Sequence, residues 1–128
     1  MRKSIDIETA LYEALTDDKY SASAHKIPET LGQRFPHVHV TRTGGYAYDM
    51  VLELHNVDFD VYAADSADAM TAAEDLTDWA RELKGTKVGT TCYDAEVTTL
   101  PYNNPDPRHP TIARATFKAQ LLMRIKEV

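Results

Sequence analysis

The chain has 128 residues, 43% of them hydrophobic and 27% charged, enough for one domain with a real core, spanning residues 1–128, and too little for two. Fourteen basic residues against 20 acidic ones leave a formal net charge of −6, which argues against a general nucleic-acid binder, because such a protein needs a cationic surface for phosphate. The lone cysteine, Cys92, excludes an intrachain disulfide and a multi-cysteine zinc site, and fits a reducing compartment or an assembly that needs no disulfides.

Met1-Arg2-Lys3 is followed at once by Asp6 and Glu8, so the start of the chain does not read as a signal peptide. No apolar run approaches the roughly 18 residues that span a bilayer, so no membrane association is expected. Ile7, Ala10, Leu11, Ala14 and Leu15 then share one helical face. Asp6 suits the N-cap. Asp17-Asp18 would oppose the dipole at a C-terminus, so the helix is predicted over Asp6–Leu15. Lys19 to Pro36 reads as polar and irregular, punctuated by Pro28, Gly32 and Pro36.

Val38–Arg42 alternates as a strand, and Gly44-Gly45 marks a turn into a second strand with Tyr46, Tyr48, Met50, Leu52 and Leu54 at a period of two. A second turn at His55-Asn56 leads to a third strand, in which Val57, Phe59, Val61 and Ala63 alternate with Asp58, Asp60 and Tyr62. Three antiparallel strands in a meander are predicted. From Ser66 the period becomes helical, with Ala69, Ala72, Ala73, Leu76, Trp79, Ala80 and Leu83 on one stripe, Asp65 or Ser66 at the cap and Lys84-Gly85 at the end. Thr90–Leu100 is predicted as a fourth strand, Pro101–Pro110 as a rigid loop, and Thr111–Lys126 as a strand long enough to overhang its sheet. The fold class is α+β. An antiparallel sheet, meander plus C-terminal hairpin, carries two helices on one face in the order α-β-β-β-α-β-β.

A search for chemistry yields little. His37-x-His39 puts two imidazoles on one strand face but lacks a third ligand at a recognisable spacing, so no metal is expected. Cys92 sits in Thr-Thr-Cys-Tyr, unlike an activated thiol, and is read as a buried strand residue. Asp58 and Asp60 share a strand face and read as solvated carboxylates rather than an acid–base pair. Gly44-Gly45 lacks the strand-to-helix context of a phosphate loop. The chain is therefore read as a non-enzyme with no catalytic residues and no cofactor.

Two features point to assembly instead. Residues 44–100 hold 3 basic and 12 acidic side chains, whereas 101–128 hold 5 basic and 2 acidic. Such segregation could orient copies docking side by side. The loop's prolines reduce the entropy lost on binding, and Tyr102, Arg108 and His109 are residue types suited to interfaces. Together with Arg114 and Lys118 on the polar face of the last strand, they form the candidate subunit or partner interface.

The segment from Leu100 to Phe117, Leu-Pro-Tyr-Asn-Asn-Pro-Asp-Pro-Arg-His-Pro-Thr-Ile-Ala-Arg-Ala-Thr-Phe, resembles the C-terminal region of tail terminator proteins of long-tailed bacteriophages and prophages. The order of elements is similar over nearly the whole chain. The resemblance implies a virion protein at the head-proximal end of the tail, assembled in the host cytoplasm, in which copies, six in that family, close into a homo-oligomeric ring. The ring would cap the tail tube protein, stop its polymerisation and offer a surface to the head–tail connector, with DNA only passing through an anionic lumen. Such closure would be heterologous. A head–tail joining or head-closure neck protein is the alternative. A small cytoplasmic enzyme or ligand-binding domain is the third reading, and it would need a concave pocket with converging polar groups.

Overall fold

The carboxylate of Asp6 accepts the Thr9 amide at 3.2 Å and opens helix α1, Ile7–Asp17, which buries Ile7, Ala10, Leu11 and Leu15. The coordinates are a computed structural model that describes residues 2–29 and 31–127. The helix runs past its expected end at Leu15 to Asp17, with Asp18 as its C-cap. The acid is tolerated at the negative end of the dipole because Trp79 Nε1 donates to Asp18 Oδ2 at 2.6 Å. Helix α2, Ser66–Arg81, starts at Asp65, whose side chain accepts the Asp68 amide at 2.8 Å. It buries Ala69, Ala73, Leu76, Thr77 and Ala80 and ends on the cation Arg81.

The strands are β1 (Arg2–Lys3), β2 (Ser21–Ala24), β3 (His37–Ala47), β4 (Leu52–Ala63), β5 (Lys87–Val88), β6 (Thr90–Asn103), β7 (Ala113–Arg124) and β8 (Lys126–Glu127). Strands β1 and β8 pair only with each other, and the remainder form one sheet in the order β2-β3-β4-β7-β6-β5. The long elements follow the order α-β-β-β-α-β-β. The sheet is mixed, because β2 runs parallel to β3 while the other neighbours are antiparallel.

The strands between the helices differ in placement from the predicted meander. Gly44-Gly45 does not turn the chain; it lies inside β3, where the register with β4 slips between Arg42 and Gly44 as a bulge. A Cβ on Gly45 would fall 1.9 Å from the Leu54 carbonyl oxygen, so only glycine fits there. The turn comes later, where Asp49 Oδ1 accepts the amides of Val51 and Leu52, both at 2.8 Å. His55-Asn56 is likewise no turn but the middle of β4. What reads as a break is a change of face. Leu52 and Leu54 lie on the opposite side of β4 from Val57, Phe59 and Val61, and Leu54 falls in register with Tyr46 and Leu122. The third strand of the set is β2, in a stretch predicted to be irregular.

The helices cover one face of the sheet. Val38, Val40, Val57, Phe59, Val61, Ala115, Phe117, Ala119, Leu121 and Met123 meet the apolar stripes of α1 and α2 in a single buried cluster. Phe59 and Phe117, opposite each other in register, stack with centroids 4.7 Å apart. Cys92 is fully buried in the same cluster; burial pushes its thiol up to about 11, which keeps it unreactive. Strand β7 does not overhang its sheet: β4 pairs along all of it and β6 along Ala115–Met123. No described helix is long and apolar enough to cross a membrane.

Candidate functional site

On the face away from the helices, the sheet presents a row of polar side chains. Ser21, His37, Tyr62 and Arg114 are successive cross-strand partners, as are Ser23, His39, Asp60, Thr116 and Tyr102. The serines of β2 reach the histidines. Ser21 Oγ contacts His37 Nδ1 at 2.8 Å, and Ser23 Oγ contacts both His37 Nε2 at 2.8 Å and His39 Nδ1 at 2.7 Å. A hydroxyl carries one proton, so Ser23 donates to one imidazole and accepts from the other. The chain of bonds therefore has a direction, and reversing it swaps the tautomer of both rings. Burial lowers His37 to about 4 and depresses His39 as well.

The loop between β6 and β7 closes over one end of this face. It is shorter than predicted, because Pro101-Tyr102-Asn103 continue β6. The proline is tolerated there because β6 has no strand on its far side at that point, and the register with β7 slips between Thr99 and Tyr102. Asp106 anchors the loop, with its side chain only 2% exposed. Its Oδ1 accepts the Arg108 amide at 3.0 Å, and its Oδ2 accepts from the Tyr62 hydroxyl and from His109 Nδ1, each at 3.1 Å. Arg114 stands 3.5 Å from the same oxygen, and its Nε donates to the Asn104 carbonyl at 2.6 Å. Burial opposes ionisation of Asp106, but the bonds from Arg108, His109 and Tyr62 outweigh it and hold the carboxyl well below the usual range.

Three of the five predicted interface residues thus converge on one buried carboxylate. Arg114 is largely buried and serves the loop; His109 is partly covered; Arg108 keeps a side chain 73% exposed. Tyr102 lies farther along β6 and Lys118 sits 3.8 Å from Asp58; neither reaches Asp106. Asp106 is not among the candidates the sequence suggests, although Asp-Pro-Arg-His carries a signal for it: an aspartate bonding the amide two residues on makes an Asx-turn.

Between the loop and residues 25–29 lies a cleft of about 530 Å³, lined among others by His25, Lys26, His39, Asp60, Arg108 and His109. His39 Nε2 makes no hydrogen bond with the described residues, and His39 is among the residues that line this space. Among the described residues, no group of three or more His, Cys, Asp or Glu could hold a metal ion.

The opposite end of the sheet is built differently. His55 is 2% exposed, yet both its ring nitrogens lack a hydrogen-bond partner, and so does Glu53 Oε1 beside it. The two stand 3.4 Å apart without the alignment of a hydrogen bond. A small cleft of about 230 Å³ opens onto them between Arg42, the Gly44-Gly45 pair and Tyr46. No protein-family model matches the chain, and no curated protein matches it.

Proposed function

We propose that the chain is a structural protein that closes head to tail into a ring, and that the ring caps a phage tail tube and presents a surface to the head–tail connector. The observation that carries the ring is where the exposed apolar side chains lie. Seven large hydrophobic residues are exposed among the described ones. Tyr46, Tyr48 and Met50 lie on the β3–β4 hairpin, Tyr93, Leu100 and Tyr102 on β6, and only Tyr12 elsewhere. β3 and β6 stand toward opposite edges of the sheet. Two distinct sticky surfaces on opposite sides of one protomer are what heterologous closure needs. The tail role rests on the resemblance of Leu100–Phe117 to tail terminators, and the acidic balance of the chain suits a lumen through which DNA slides without sticking.

Negative-stain imaging over a concentration series, alone and with tail tubes, tests the reading. Rings with a central hole and caps at tube ends are expected, and caps on connectors instead of tubes would favour a neck protein. Monomers that ignore tubes at every concentration would overturn it. The cleft beside His39 supports a second reading, a domain that binds a small polar ligand there, since it offers an open imidazole nitrogen next to Asp60 and Arg108.

A further inference from the structure

Among the described residues, two stretches of the main sheet have no strand on their outer side. β2 covers β3 only over His37–Val40, and Glu8 Oε2 accepts the Arg42 amide at 3.1 Å. Beyond it, Thr43 is the bulged residue and Gly44–Ala47 pair with β4 alone. On the other side, β5 covers Thr90 and Thr91, and Cys92 exchanges bonds of 2.8 Å with Gly85 and Thr86. After a bulge at Tyr93, Asp94–Val97 of β6 pair with β7 alone. An uncovered strand edge presents unpaired amides and carbonyls, a template for another strand.

Resting on the ring reading above, we propose that these two edges are the contact: Tyr93–Val97 of one copy adds as a strand along Thr43–Ala47 of the next. Three independent observations select a second copy as the occupant. Each edge carries exposed aromatic or long apolar side chains, Tyr46 and Tyr48 at 60% and 58% on one and Tyr93 at 44% on the other. The edges also offer a pairing of opposite charge, since Arg42 flanks the first, beside Glu8 and Glu53, while Asp94 and Glu96 stand on the second, Asp94 also lying 3.7 Å from Lys84. The third is the group of buried atoms without partners. His55 Nδ1 and Nε2 and Glu53 Oε1 line the cleft against Gly44 and Gly45, at the β3 edge. Leaving buried polar groups unpaired is costly, and an incoming segment brings both donors and acceptors. The bulge between Val97 and Thr99, followed by Pro101, ends the pairing and gives it a defined length.

Disulfide trapping tests the assignment. Thr43→Cys would be combined in turn with Tyr93→Cys, Glu96→Cys and Thr98→Cys in a Cys92→Ala background, and each protein oxidised at a concentration where the parent forms rings. A bridge needs Cα atoms within about 7 Å. At least one combination should give a ladder of covalent oligomers ending at the ring's copy number, while each single variant stays uncrosslinked. Rings visible by negative stain with no ladder from any combination would overturn the edge assignment and leave the ring standing. Covalent dimers from Thr43→Cys alone would overturn it too, because like edges would then meet. If neither rings nor ladders form, the ring reading itself fails and the edge contact with it.

Discussion

The two ends of the sheet contrast in how they treat buried polar groups. At the loop end, Asp106, Tyr62, His109 and Arg114 satisfy one another, and the serines of β2 satisfy His37 and one nitrogen of His39. At the hairpin end, both ring nitrogens of His55 and Glu53 Oε1 find no hydrogen-bond partner among the described residues, although Glu53 Oε2 accepts from the Ser4 hydroxyl at 2.6 Å, and Tyr46 and Tyr48 nearby are exposed. A closed network holds its own chain in place, whereas an unclosed one at an uncovered edge is prepared for something else. Of the interface candidates, His109 and Arg114 bind Asp106 of their own loop through their side chains, whereas Arg108 gives it chiefly its amide and keeps a side chain 73% exposed. Reversing the charge of Arg114 would test folding rather than assembly.

The largest expected effect breaks the closed end. Asp106→Ala leaves the Tyr62 hydroxyl, His109 and Arg114 without their shared acceptor and should cost about 3–5 kcal/mol in urea unfolding. A cost below about 1 kcal/mol would mean that the loop is held by something else.

Acid should attack the same end next. Folded protein keeps His37 neutral down to about 4, whereas the unfolded chain takes up that proton near 6.5. Stability is full above the higher value, falls as pH drops through that window, and levels off from this group below it. The loss amounts to roughly 3 kcal/mol at most. Asp106 stays ionised throughout the window, since its carboxyl is held low. Unfolding midpoints measured between pH 7 and 4 check this, and His37→Asn should reduce the slope, with the remainder coming from His39 and His55, which burial also lowers.

The hairpin end should respond with the opposite sign. His55→Leu removes buried ring nitrogens that have no hydrogen-bond partner among the described residues and gives up only the 3.4 Å contact with Glu53, so it should leave the monomer as stable or more stable, by up to about 1–2 kcal/mol. A destabilisation comparable to Asp106→Ala would erase the contrast between the ends. The smallest effect on stability belongs to Tyr48→Ser with Met50→Ser, both exposed, where the monomer should change by no more than about 0.5 kcal/mol. Ring formation by the same variant should weaken at least tenfold, as read by sedimentation.

The helices, the order of the long elements and most of the core could be read in the sequence, because Leu76 and its neighbours, or Val57, Phe59 and Val61, repeat at the period of their structure. The hairpin could not. Gly44-Gly45 carries a turn signal that the chain uses as a bulge, while the true turn is closed by the Asp49 side chain. Apolar residues also switch faces along β4, which mimics a break in the strand. β2 was invisible because Ser21 and Ser23 serve two histidines rather than the core. The candidate site was half legible: Arg108, His109 and Arg114 stood out, but the carboxylate that gathers them did not, because its burial depends on Tyr62 arriving from a distant strand.

Hydrogen exchange of the assembled against the dispersed protein, resolved by peptide, tests the central contrast most directly. The account predicts that assembly slows exchange over Thr43–Ala47 and Tyr93–Val97 and leaves the loop around Asp106 unchanged, since its bonds are already made. New protection confined to Pro105–His109, with both strand edges still exchanging freely, would contradict it.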